Sequence, residues 1–444
     1  MKNHILLYLT FSFLLSVNSF AQNDSTKDEK ISIHYQTTVI WQYKPSFHSN
    51  YNGANSLINT EDNQTTLTST LFLGIKLWEG GSFFVNPEIA GGSGLSGALG
   101  VASSTNGESY RVGNPKPRIS FARYFFRQLF YDKKGIKEYQ SSDINQLAGK
   151  VPDKYFSVTI GKLAVPDYFD NNKFSHDPRT QFLSWGLMSN GAWDVPSNTF
   201  GYSPSLILEW VTKKHELRYA FSLIPEEING PVIDWHINKA HSQTLEYTYN
   251  YKFNNQPGAF RLLGYYTNTH MGNYAEALQS ISIISNNNQP DVSSTRIYGR
   301  AKYGFGLNIE QNINNNLGCF IKASWNDGKN ENWMYSEIDH SLSLGISKNM
   351  INYGRKDDNM GIAFVISGIS KSHKEYLEAG GKGFILGDGS LNYSLEQLVE
   401  IYYSASLIND DMNISGAYQL IINPGYNKDR GPVSVFSIRF HYQI

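Results

Sequence analysis

The side chains best suited to recognising another molecule are arginines set among aromatic rings. In RISFARYFFRQLF, residues 118–130, Arg123 and Arg127 share a parity with Phe121 and Phe125, while Ala122, Tyr124 and Phe126 share the other. Successive side chains of a strand point to opposite faces, so this spacing predicts one face of guanidinium groups and rings and another that is apolar. A second collection lies in VPDYFDNNKFSHDPRTQFLSWGLMSNGAWDVPSN, residues 165–198, where Asp170, Arg179, Trp193 and Asp194 combine both charges with an indole. Glu209, Arg218, Glu246, Arg296, Arg300, Lys302, Glu310, Glu396, Glu400 and Gln419 fall on the polar parity of other alternating segments. Guanidinium forks donate paired hydrogen bonds and carboxylates accept them. Bond-breaking chemistry finds little support. The eleven histidines form no HExxH pair and no G-x-S-x-G elbow is present. Glu226–Glu227 and Asp357–Asp358 read as solvated loop charges, and the GDG at 387–389 as a turn.

These residues need walls to hold them, and the chain supplies long alternating strands. Ile297, Ala301, Tyr303, Phe305, Leu307 and Ile309 occupy one parity of 296–310; Arg296, Tyr298, Arg300, Lys302, Asn308 and Glu310 occupy the other. Fifteen residues is long for a soluble strand. One apolar face and one charged face suit a wall between lipid and a watery lumen. The same alternation marks about sixteen segments, near 31–43, 65–77, 82–90, 118–128, 155–163, 204–211, 215–224, 243–253, 258–268, 296–310, 317–326, 340–348, 359–368, 393–404, 411–422 and 433–444. Odd-numbered connections are mostly long and even-numbered ones mostly short, as outer-membrane barrels require. The exception is 129–154, a long segment where a turn is expected. The fold predicted is all-β: a transmembrane antiparallel barrel of about sixteen strands, with long extracellular loops and one or more loops folded inward. A barrel of that size encloses an aqueous channel.

Composition agrees. Mean hydropathy is −0.39, and a barrel resolves this because only alternate residues need be lipid-soluble. Aromatic residues make up 14%, with 29 Tyr against 8 Trp, which fits girdles at both interfaces. The 38 basic and 39 acidic residues nearly cancel, so charge points to no nucleic-acid partner. The single cysteine, Cys319, excludes an internal disulfide and any multi-Cys zinc site, and no cofactor or metal is implied. Lys2 and His4, the apolar run 5–17 and Ser19-Phe20-Ala21 read as a signal peptide over 1–21. A disordered stretch is expected over 22–30 and one barrel domain over 31–444. Within 165–198, Pro178 and apolar spacing over Thr180–Met188 predict a short helix against the inner wall, with Asp177 as its cap. The glycine-rich stretch 91–108 reads as a second inward segment or a mobile outer loop.

Two blocks resemble the carbohydrate-selective porin family, the group typified by the glucose-inducible porin of pseudomonads. The first is Gly161–Tyr202, with its G-K start, F-D-x-N run and N-x-A-W-D-x-P. The second is SHKEYLEAGGKGFILGDGSLNYSLEQLVEIYYS, Ser372–Ser404, followed by Tyr418-Gln419, Asn423-Pro424-Gly425-Tyr426-Asn427, Asp429-Arg430-Gly431-Pro432 and Arg439-Phe440-His441. The resemblance implies a sixteen-stranded barrel integral to the outer membrane that lets small sugars diffuse into the periplasm, with outer-membrane lipid around it and a homotrimer as an option. Two departures are the terminal Ile444, where Phe is usual, and the basic strand 118–128, where an acid is more usual. A sugar needs donors and acceptors for its hydroxyls and ring faces for its C–H surfaces. Binding must also stay weak enough for release. The residues proposed to line a constriction are Arg123, Arg127, Asp170, Arg179, Trp193, Asp194, Arg218, Glu246, Arg300 and Glu400, with opposed acids and bases setting up a transverse field. A general or organic-acid-type porin, and a plugged barrel with a surface-binding role, remain alternatives.

Overall fold

The computed structural model describes residues 28–284, 289–408 and 411–444. The expected signal peptide lies outside them, as do residues 22–27 of the stretch expected to be disordered.

Among the described residues eighteen strands form, sixteen of them in one wall. In chain order they are β1 Ile31–Lys44, β2 Asp62–Trp78, β3 Gly81–Gly92, β4 Arg118–Phe130, β5 Lys137–Gln140, β6 Gly149–Pro152, β7 Tyr155–Leu163, β8 Ser203–Val211, β9 His215–Ser222, β10 His241–Phe253, β11 Gln256–Thr269, β12 Arg300–Asn312, β13 Leu317–Asn326, β14 His340–Asn349, β15 Asn359–Gly368, β16 Glu396–Ile408, β17 Met412–Ile422 and β18 Val433–Gln443. All but β5 and β6 join antiparallel to their neighbours in a closed barrel, with β18 against β1. Closure leaves no unpaired edge, a requirement where lipid offers the backbone no hydrogen bonds.

Burial is inverted relative to a soluble protein. Along β10, Thr244, Glu246 and Thr248 are 1–2% exposed while Leu245 is 51% exposed. On β14 the apolar Leu342, Leu344 and Ile346 face outward and Ser343 and Ser347 are buried. Apolar outside and polar inside is the pattern of a wall solvated by hydrocarbon.

The strand expected over 296–310 begins only at Arg300. Gly299 adopts a positive φ of 94°, Arg296 is drawn into a bidentate pair with Glu331 at 2.7 and 2.9 Å, and the Tyr298 hydroxyl donates to Asp234 at 2.8 Å. Residues 296–298 therefore belong to the preceding loop. On β4 the expected parity fails at one end. The pairing with β3 slips between Asn86 and Pro87, so Ala122 is buried and Phe121 points outward at 57% exposure. Arg123, Phe125 and Arg127 keep the inner face. A bulge inserts one unpaired residue, which reverses the facing of what precedes it.

Connections at one end are short, such as 79–80, 212–214 and 254–255, and those at the other are long. The exceptional connection 131–154 is at the short-turn end and carries its own two-stranded sheet, β5 with β6.

Candidate functional site

Two long loops fill the barrel from within. Residues 93–117 and 164–202 are zipped together, with Gly107 N donating to Leu183 O at 2.8 Å and Gly186 N to Ser103 O at 3.0 Å. They are hung on the wall by carboxylates of β16. Glu400 accepts from Leu183 N and Ser184 N at 2.6 and 2.9 Å. Glu396 accepts from Ala102 N and Ser103 N at 2.9 and 2.8 Å. These bonds explain why the helix expected over 180–188 shrinks to Trp185–Met188: the amides before it bond to the wall instead of to their own turn. Asp177 does not cap that helix; it closes the preceding turn by accepting from Arg179 N at 2.9 Å. Gly361 of β15 marks a close approach of loop and wall, since a Cβ there would fall 2.7 Å from the Phe182 ring.

What the loops leave open is a cavity of about 510 Å³. Three of the arginines singled out from sequence line it: Arg123, Arg127 and Arg179. Arg123 makes a bidentate pair with Asp167, Nε to Oδ2 at 2.6 Å and Nη2 to Oδ1 at 2.7 Å. Its guanidinium also lies over the Tyr202 ring, 5.0 Å from the centroid. Asp167 is set by the one-turn helix Val165–Asp167 just after β7, with Pro166 in its first turn. Arg179 pairs with Glu108 at 3.1 Å and donates to Gln36 at 2.8 Å. Arg127 reaches Glu209 at 3.4 Å. Between these charges stand rings: Phe125, Tyr168, Tyr202, and Trp185 packed edge-on against Tyr335 at 4.4 Å and 87°. Burial pushes the Tyr168 phenol up to about 12, so it stays a neutral donor at physiological pH. The charges sit as ion pairs, Arg123 with Asp167, Arg179 with Glu108 and Arg127 with Glu209.

The other seven candidates are placed elsewhere. Asp170, 1% exposed and at a positive φ of 56°, accepts from Asn190 N at 2.6 Å and from the Asn308 amide at 2.7 Å. Trp193 is 1% exposed in the cluster with Phe169 and Val195. Asp194 accepts from the backbone of Trp333 and Tyr335 at 2.8 and 3.1 Å; burial pushes its carboxyl up. Glu246 accepts from Asp170 N at 2.7 Å, and Glu400 holds Leu183 and Ser184 as above. Arg218 joins Glu209 at 3.1 Å on the wall. Arg300 pairs with Glu276 among the outer loops. These seven brace loops or wall and do not line the cavity. Sequence reasoning missed Asp167, Glu108, Tyr168, Trp185, Tyr202 and Tyr335. Asp167 and Trp185 lay inside the stretch already suspected, but only the fold brings Glu108 and Tyr335 to it.

A closed sixteen-stranded barrel with inverted burial and loops folded into a polar lumen defines a porin-type channel. The model of the carbohydrate-selective porin, OprB family matches residues 54–444, and the chain belongs to that family. Among solved structures, it is similar to Pseudomonas putida OprB at high pH, with 14% identity, a TM-score of 0.70 and 94% of each chain covered. The low-pH form of the same protein gives 11% identity and a TM-score of 0.51 over 94% of this chain and 93% of that one. The outer membrane channel DcaP of Acinetobacter baumannii gives 8% identity and a TM-score of 0.51 over 93% and 97%. At these identities the likeness shows the fold alone. No curated protein sequence matches. The chain is an outer-membrane channel for carbohydrates, and its short turns face the periplasm.

Proposed function

We propose that sugars cross through the cavity lined by Arg123, Arg127 and Arg179, handed between guanidinium and carboxylate groups while their C–H faces slide over Tyr168, Trp185 and Tyr335. The observation that carries this reading is the convergence of paired charges and ring faces on one opening of about 510 Å³. Pairing matters because Arg123 with Asp167 and Arg179 with Glu108 offer donors and acceptors together without a net charge. Neutral, hydroxyl-rich solutes gain from that arrangement more than simple ions do. Each contact is weak and the contacts are several, which allows release. An acid-specific channel would instead need unpaired cations along the path. Diffusion is passive, driven by the gradient alone. Liposome swelling with monosaccharides, disaccharides and amino acids of similar size tests this: sugars should enter faster, and equal rates would reject it.

A further inference from the structure

The connection between β4 and β7 is far longer than a periplasmic turn needs; its counterparts at 79–80 and 254–255 are two residues each. Its extra length is used to reach back into the barrel. β5 and β6 form a stalk, with Glu138 paired to Lys213 at 2.7 Å. The tip, residues 141–148, closes on itself through Asp143 and Gln146, which exchange backbone hydrogen bonds at 3.2 and 3.0 Å, and Asn145 takes a positive φ of 54°. From there Leu147 packs against the inner cluster that holds Phe84 and Phe125. Ile144 and Asn145 line the same cavity as Arg123 and Arg127.

The tip is moored at several points. Glu29, just before β1, accepts from Ser142 Oγ at 2.7 Å and Ala148 N at 2.8 Å, and its own amide donates to Ala148 O at 2.9 Å. His34 Nε2 and Ser142 Oγ lie 2.9 Å apart. Asn86 of β3, on the inner face, donates through Nδ2 to Asn145 Oδ1 at 2.9 Å. A mobile turn would not place an amide on Asn86 and a leucine on the Phe84 and Phe125 cluster.

We propose that Ile144 and Asn145 form a second selectivity element, the periplasmic floor of the channel, against which a solute leaving the arginine cluster must pass, and that Glu29 holds this floor in place. The inference rests on the reading that solutes use this cavity. Single-channel recording in planar bilayers on the full barrel tests it with three variants. Replacing 141–148 by Gly-Gly should raise conductance at least about twofold and enlarge the polyethylene glycol that still enters. Ile144→Trp should lower conductance. Glu29→Ala, with the strands untouched, should add rapid open-channel flicker. Conductance and size cutoff unchanged in both tip variants would overturn the proposal. Failure of the sugar reading shows differently, as a wild-type current that sugars do not block, and leaves the conductance comparison able to decide the role of the floor.

Discussion

The arginine cluster and the β16 clamps use the same side-chain chemistry for opposite ends. At the cluster, carboxylates meet guanidinium groups: Asp167 with Arg123 and Glu108 with Arg179. On β16, Glu396 and Glu400 meet backbone amides of the two inward loops and are fully buried. Asp194 of the inward loop and Glu337 of the connection 327–339 repeat the second pattern, Asp194 accepting from Trp333 N and Glu337 from the amides of Phe384, Ile385 and Leu386. Asp167 keeps 35% of its side chain exposed, and Arg127 28%. A carboxylate that consumes its lone pairs on amides holds a loop in position. One that shares a guanidinium in contact with water still has capacity to meet a solute. Lumen charge by itself does not distinguish the two.

Removing the clamps should have the largest effect. Glu396→Ala with Glu400→Ala leaves five loop amides without acceptors, those of Ala102, Ser103, Leu183, Ser184 and Gly425, at about 1–3 kcal/mol for each buried group. The barrel should persist while residues 165–198 become susceptible to protease and conductance rises; intact loops would contradict the clamp assignment. Arg123→Ala should leave the loops folded but weaken sugar block of the current by about ten- to a hundredfold, as expected for losing one charge-assisted contact of about 1.5–3 kcal/mol, and shift ion preference toward cations because Asp167 loses its partner. If the Arg123 and clamp variants share one phenotype, the division between cluster and clamp collapses. Trp185→Ala should weaken sugar block severalfold with little change in conductance, and an edge-on ring pair accounts for only about 0.5–1.5 kcal/mol of the stability lost.

Acid sharpens the contrast between Asp194 and Asp339, whose carboxylate accepts from Ser370 N at 2.8 Å and faces Lys302 at 3.6 Å. Burial pushes the Asp339 carboxyl up, but Lys302 and His373 outweigh it and hold the group well below the usual carboxylate range. A depressed carboxylate contributes stability above its unfolded value, near about 4, and loses it as pH falls through the lower folded value. Burial raises Asp194, so its protonation relieves a desolvated charge. Outer-loop protection in hydrogen exchange should therefore hold from pH 7 to 5 and fail only in strong acid, and Asp339→Asn should remove that loss. Least of all, Arg300→Ala should change stability by no more than about 1 kcal/mol, since its partner Glu276 is 53% exposed.

The wall was legible because period-2 alternation is a local property. Strands 155–163, 317–326 and 359–368 were read to the residue. Errors arose where a distant contact overrode the pattern: Arg296 pulled away by Glu331, and Phe121 turned outward by a bulge opposite Pro87. The site was less legible for the same reason. Arg123, Arg127 and Arg179 could be chosen because charge beside rings is visible in sequence. Glu400 looks no different from them on its strand, yet its role is set by which loop amides arrive 217 residues away. Glu108 ends the glycine-rich stretch 91–108, whose inward course was visible, but nothing local marks it as the partner of Arg179, and Tyr335 carries no local signal.

Because Glu396 and Glu400 sit on β16, these two anchors of the inner loops lie in the last eighth of the chain, 294 and 217 residues beyond the amides they hold. Contacts so distant form late, since loop-closure entropy must be met before they contribute. During biogenesis this side of the cylinder's contents must wait for the stave that completes its fastening. A chain halted before β16 would leave residues 102–103 and 183–184 without these acceptors, and the sieve would hang loose on that side even if most of the wall stood.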